Sequence, residues 1–315
     1  MPYLTQSAGA GGPLTQSGTP GCATVARLMG GDPVGTATHM TSWLLIEQPG
    51  AWSATALEST LAGVLDDARL HALREAGMRP LLIRGPGKHA RGDEGPVTVF
   101  AGSGWPGTHW LERIELADTS QVARLDLEAV AAGRPGHGEP VDGPLFLVCT
   151  HGAKDLCCAV LGRPVAKALA EDHPDRVWEV SHVGGDRWAG NLLVVPDGFL
   201  HGQLSPDDAR LVTKAALAGQ VRPDHLRGRT SAVTGWEQTA EAAVRKYTGL
   251  TGMDDVVAIH VRYDDADSRT VVVRARDREF EVVVHHREAV TADGNRCTGH
   301  LALAGFSTTE IRPGA

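Results

Sequence analysis

Apolar positions in this chain come in short blocks punctuated by Gly, Pro, Asp and Asn, and only a few stretches carry the spacing of a helix face. Short apolar or β-branched runs bounded by turn residues read as strands, and three-to-four spacing reads as helix. On that basis strands are expected over 43–47, 80–83, 97–100 and 110–116, with a long helical pattern over 54–76 and a shorter one near 125–132. The run Leu145-Phe146-Leu147-Val148 has the length and uniform apolarity of a fully buried strand. Strands over 176–180 and 191–195 follow, and Asp197-Gly198 then marks a hairpin. Between the runs at 145–148 and 176–180, Gly162-Arg163-Pro164 reads as a break that opens a helix with Pro in its first turn. Ser205-Pro206-Asp207-Asp208 supplies a cap, a first-turn proline and acids at the positive end of a further helix running to about Ala218. An amphipathic stretch over 236–247 then leads to strand-like runs at 256–263, 270–274 and 279–285, separated by polar turns that predict successive hairpins.

Composition narrows what such a chain does. With 315 residues, 42% hydrophobic and 22% charged, it is long enough for two compact cores. The net charge of −8 gives no broad basic footprint, so nucleic acid is not an expected partner, while an acidic surface is compatible with docking a basic patch on a reductase. No run approaches a membrane span. Residues 1–21 are rich in Gly, Ser, Thr and Pro without a basic start and apolar core, and read as a flexible tail, not a signal peptide. Five cysteines, two of them adjacent, do not form a disulfide framework, and a cytoplasmic location is expected.

The chemistry is concentrated in two segments, each following a strand-like run: Cys149-Thr-His-Gly-Ala-Lys-Asp-Leu-Cys-Cys158 and Ser181-His-Val-Gly-Gly-Asp186. Together they offer soft thiolates, an imidazole and a carboxylate. Such a mixed donor set suits an iron-sulfur cluster, in which imidazole in place of thiolate removes negative charge and raises the reduction potential. The paired Gly184-Gly185 allows a tight turn and close approach to a bulky inorganic group. Two neighbouring residues do not usually aim at one metal, so only one of Cys157 and Cys158 is expected to ligate. His151 reads as a hydrogen-bonding neighbour and an alternative ligand. Lys154 and Arg187 read equally well as charges offsetting a cluster and as solvated surface groups. Cys22 reads as a small core residue. The grouping of His285, His286, Cys297 and His300 lacks a standard metal spacing and reads as mostly accidental in a chain with 14 His.

His182-x-x-x-Asp186, Leu192-Leu-Val-Val-Pro-Asp-Gly198 and Ser205-Pro-Asp-Asp208 resemble the C-terminal half of thioredoxin-like [2Fe-2S] ferredoxins. Combined with Cys-Thr-His-Gly-x-x-Asp-x-x-Cys, they look like the sucrase/ferredoxin-like family, whose ligands are two Cys separated by eight residues and two His separated by three. The resemblance is specific over 145–210, looser toward Trp43-Leu-Leu-Ile-Glu-Gln-Pro-Gly50 and weak beyond 250. It implies a [2Fe-2S] cluster on Cys149, Cys158 and His182. Asp186 stands in the second histidine place, with His151, Cys157 or solvent as the other candidates for the fourth ligand. A carboxylate there should lower the potential relative to a second imidazole.

The fold class that follows is α/β (α+β). A thioredoxin-like ferredoxin domain over 141–222 follows an N-terminal α/β domain over 22–135 whose element order echoes it, and precedes a C-terminal helix plus antiparallel β region over 223–315. The stretch 133–140 reads as the linker. The function that follows is one-electron transfer between this protein and a reductase or acceptor. A structural zinc protein and a thiol oxidoreductase on the same frame are the alternatives. The sucrase half of the family name finds no support, because no catalytic carboxylate pair stands in a recognisable frame.

Overall fold

The structure is a computed structural model and describes residues 19–87, 95–295 and 297–314; most of the expected N-terminal tail lies outside the described residues. The described chain opens on a short helix, α1 (Cys22–Leu28), and enters a first unit made of β1 (Ser42–Glu47), α2 (Ala56–Leu61), α3 (Asp67–Glu75), β2 (Met78–Arg84), β3 (Val97–Ser103), β4 (Trp110–Leu116) and α4 (Leu127–Ala131). The strand β5 (Glu139–Pro140) leads to a second unit, β6 (Leu145–Cys149), α5 (Leu156–Asp172), β7 (Val177–Val180), β8 (Leu192–Val195) and β9 (Phe199–His201), closed by α6 (Pro206–Leu217) and β10 (Leu226–Arg229). Strand order is β2-β1-β3-β4 in the first unit and β7-β6-β8-β9 in the second. In each, the first strand runs parallel to the one reached through helix and antiparallel to the next. The echo between halves is therefore a repeat of topology, even though the residues barely match.

The two units share one sheet. β2 and β7 pair antiparallel through only two residue pairs, Ile83 with Val180 and Arg84 with Glu179, so they overlap at their C-terminal ends and complete a ten-stranded sheet. Side chains alternate across it, as strand geometry requires. Trp43 and Leu45 join Ile83, Leu147, Cys149, Val180 and Leu193 in one core that draws on both halves. Leu44 and Ile46 face the other way, against Leu61, Leu70 and Leu73. Phe146 and Val148 likewise turn toward Val165, Leu169 and Val212 of α5 and α6.

Three local expectations change. The pattern over 54–76 is two helices, because Gly63 adopts a left-handed φ of +72° and Asp66 starts a new helix by accepting the Arg69 amide. The break expected at Gly162-Arg163-Pro164 lies inside α5. That helix starts at Leu156, where the Asp155 carboxylate accepts the Cys157 amide at 2.7 Å, and Pro164 is carried within it. Gly162 is there for packing: a Cβ on it would stand 2.1 Å from the Cys149 carbonyl oxygen. Cys157 and Cys158 consequently lie in a helix's first turn and not in a loop. Finally, the stretch read as a linker is fastened to the first unit. The buried Glu112 carboxylate accepts the amides of Gly136, His137 and Gly138, and β5 pairs with β4.

Beyond β10, α7 (Gly235–Thr248) starts with a capping box between Thr234 and Glu237 and packs Ala240 and Val244 on a second, antiparallel sheet. Its strands are β11 (Val256–Tyr263), β12 (Ser268–Ala275), β13 (Arg278–Asn295) and β14 (Gly299–Pro313). The first three were legible. β13 extends well beyond the expected end, and β14, weakly patterned on its own, is defined by pairing along the length of β13.

Candidate metal centre

Cys149, Cys158 and His182 converge. Cys149 is the last residue of β6 and is almost fully buried, its amide donating to the Asn191 carbonyl at 3.0 Å. Cys158 comes from the first turn of α5. His182 lies just after β7. One donor atom from each of the three falls within 4.8 Å of the others, with Cys158 Sγ 3.8 Å from His182 Nδ1. Their proton affinities split accordingly. The hydrogen bond from Cys158 holds the Cys149 thiol well below its usual range despite burial, and His182 adds to this by hydrogen bond and charge. Cys158 is pushed up, first by donating that hydrogen bond. His182 is raised, first by its hydrogen bond to Cys149. The three groups share protons among themselves, and a metal bound by such a set would displace them.

Two groups hold this set in place. The His151 ring nitrogens are both engaged: Nε2 donates to the Ser53 carbonyl at 2.8 Å and Nδ1 accepts the His182 amide at 3.3 Å, with the ring edge-on to Trp52. Burial keeps this imidazole's pKa down, which suits the neutral form that such bonding requires. Arg227 is fully buried behind the His182 loop. Its guanidinium donates to the Gly184 carbonyl at 2.9 Å, to Asn191 Oδ1 at 3.0 Å and to Thr36 Oγ1 at 3.1 Å. Burial pushes its pKa down to about 9, against the opposing pull of the Cys149 charge. Gly184 and Gly185 both take left-handed φ values. A Cβ would stand 2.4 Å from Thr38 Oγ1 at the first and 2.4 Å from Arg227 Nη2 at the second. The paired glycines thus make room for Thr38 and Arg227. No local pattern marked Arg227, a cation inside the short strand Leu226–Arg229; only its burial reveals it.

Beside His182 lies a cavity of about 270 Å³ whose lining includes Arg74, Arg79 and Lys154 as well as Glu58 and His151. Lys154 is therefore placed at the mouth of the site. Arg187 instead donates to the Ala302 carbonyl at 2.7 Å and ties down β14.

A family model described as Sucrase/ferredoxin-like matches residues 33–228, which is more than half of the chain and includes all three converging donors. The chain belongs to the sucrase/ferredoxin-like family. A relative outside this chain is the protein "Altered inheritance of mitochondria protein 32" of Meyerozyma guilliermondii, 27% identical over 101 residues, a match covering 29% of this chain and 36% of that protein. The chain thus spans about a third of the length of the curated relative it matches. No solved structure matches. No helix among the described residues is long and apolar enough to cross a membrane.

Asp186, in the position where the sucrase/ferredoxin-like pattern has its second His, is not part of the converging group; its Oδ2 lies 3.3 Å from Cys22 Sγ. Cys22 in turn stands 3.7 Å from Cys157 Sγ, and Cys157 stands 3.6 Å from Cys297 Sγ. With Asp155, these three form a second group of donors within 4.8 Å of one another. Sequence reasoning missed it. The histidines grouped with Cys297 are engaged elsewhere: His285 meets Thr309 Oγ1 at 2.9 Å, His286 packs against Trp236 and Phe306, and His300 meets Asp293 at 2.7 Å.

Proposed function

We propose that this sucrase/ferredoxin-like protein is a one-electron carrier whose Cys149, Cys158 and His182 hold a [2Fe-2S] cluster, with Asp186 as the fourth ligand. The observation that carries the reading is the convergence of two sulfurs and an imidazole from three separate segments of a thioredoxin-like unit. The donors fit the group chemically: soft thiolates, one imidazole and a buried cation to offset negative charge. A cluster bound there supplies one-electron redox chemistry. The chain's own residues tune and expose it. Arg227 braces the His182 loop and His151 fixes the His182 backbone. The half-buried imidazole lies beside the cavity, so we place the docking of a reductase or acceptor at that mouth, where Arg74, Arg79 and Lys154 would meet acidic groups of the partner. Five free cysteines suit a reducing compartment, and we propose the cytoplasm.

The test is anaerobic purification with iron and acid-labile sulfide assays and EPR of the reduced protein. Equal iron and sulfide, lost in Cys149→Ser, is the expected result; colourless protein holding only zinc would overturn it. One observation favours that second reading. The 3.8 Å between Cys158 Sγ and His182 Nδ1 is close to the spacing of about 3.6 Å between sulfur and nitrogen donors on a single tetrahedral zinc. Zinc without sulfide would decide for a structural site.

A further inference from the structure

We propose that Cys22, Cys157, Cys297 and Asp155 form a second metal site, for a thiophilic divalent cation of the zinc type, that fastens α1 and the turn between β13 and β14 to the first turn of α5. The three sulfurs come from segments 135 to 275 residues apart, yet neighbouring pairs stand 3.6 and 3.7 Å from each other. Thiolates at about 2.3 Å from a tetrahedral zinc stand about 3.8 Å apart, whereas a disulfide needs about 2.05 Å. The spacing is that of ligands on one ion.

The surroundings are built for this contact. A Cβ on Gly21 would stand 2.5 Å from Cys157 Sγ, so the chain before α1 closes over the sulfurs only as glycine. Asp155 divides its carboxylate: Oδ1 caps α5 through the Cys157 amide, and Oδ2 faces Cys22 Sγ at 3.9 Å. The Cys22 amide points at Cys297 Sγ at 3.4 Å, the kind of N–H donation that stabilises a metal-bound thiolate. Asn295 Oδ1 accepts the amides of Cys297 and Thr298 at 3.0 Å and so sets the turn that presents Cys297. Ala23, Ala26, Trp188, Leu301 and Leu303 form an apolar shell around the group.

This also accounts for the adjacent cysteines. Neighbours on an α-helix diverge by about 100°, so Cys158 serves the inner donor set and Cys157 the outer one. Two of the four outer donors, Cys22 and Cys297, lie outside the matched residues 33–228.

The experiment is anaerobic cobalt(II) titration of the full chain carrying Cys149→Ala and Cys158→Ala, which removes both inner thiolates, so that thiolate-to-cobalt absorption reports only the outer sulfurs. One cobalt per chain is expected, with intense thiolate-to-cobalt charge-transfer absorption, displaced by zinc. Adding Cys297→Ala should weaken binding by more than the roughly 100-fold that loss of a hydrogen bond around a site produces. Cys297→His, which restores a donor at the same turn, should regain the metal with a shifted spectrum, separating lost ligation from lost folding. The proposal is overturned if the double variant binds no cobalt, if Cys297→Ala leaves affinity unchanged, or if anaerobic protein carries a disulfide among these cysteines. Iron content of the wild type does not enter, so the inner and outer sites stand or fall separately.

Discussion

Arg84 and Glu179 meet across the β2–β7 seam at 2.7 Å, each with only 3% of its side chain exposed. The guanidinium also lies 4.0 Å above the Trp52 ring and donates to the Gly50 carbonyl, and the carboxylate accepts the Thr150 hydroxyl at 2.8 Å. Thr150 follows Cys149 directly, so the pair joins the two units beside the inner donor set. Removing one partner of a buried ion pair leaves an uncompensated charge, which costs about 3–5 kcal/mol. Glu179→Ala should destabilise by that amount in urea unfolding. The double change Arg84→Met with Glu179→Leu should recover most of it.

Gly162→Ala tests the packing of α5 on β6. The added methyl, 2.1 Å from the Cys149 carbonyl, forces the helix away from the strand, an overpacking cost of about 1–3 kcal/mol. Because Cys158 rides on that helix, the variant should lose iron even though no ligand is altered. A variant with wild-type iron content and unchanged melting would show that the contact relaxes without moving Cys158.

Asp186→Ala addresses the fourth ligand. His151 has both ring nitrogens engaged and Cys157 turns to the outer group; the Asp186 carboxylate also touches Cys22 of that group, and the variant decides between Asp186 and solvent. Loss or alteration of the EPR signal is expected, and Asp186→His should raise the reduction potential by replacing an anion with a neutral ring. An unchanged spectrum in Asp186→Ala would assign the place to solvent.

His201 predicts a pH dependence. Full burial pushes its pKa from 6.5 to about 4, and nearby His225 and Arg222 push the same way. The Nε2–H donates to the Arg222 carbonyl at 3.1 Å, which supports the charged form weakly, and burial outweighs it. Between about pH 6.5 and 4 the unfolded chain binds a proton that the folded chain refuses. Stability from this group is therefore complete above about pH 6.5 and falls by about 3 kcal/mol as pH drops to 4. Unfolding free energies of His201→Gln should lose that slope; an equal slope in both proteins would place the titration elsewhere.

Much of this was legible in the chain. The apolar run at Leu145, the alternation at Trp110 and the cap at Ser205 mark β6, β4 and α6 because burial on two faces, burial on one face and capping each leave a local signature. The inner donors were visible because they lie in two compact segments. What stayed hidden depends on long-range contacts. Gly162 and Pro164 look like a helix start, since nothing nearby shows that a strand's carbonyl will press on that glycine. Cys22 and Cys297 are isolated residues until β14 pairs along β13 and α1 folds back, and Arg227 gains meaning only when the His182 loop closes on it.

The two-pair overlap of β2 and β7 brings the C-terminal strand ends of both units to the middle of the molecule. The half without paired cysteines thereby walls the chamber of the half that has them, lending Ser53 to His151 and Arg84 to Glu179. Excising residues 141–222 would strip that wall away, leaving a carboxylate without its counter-charge and an imidazole without its tether. The smallest piece that keeps the inner donor set braced is thus the fused pair.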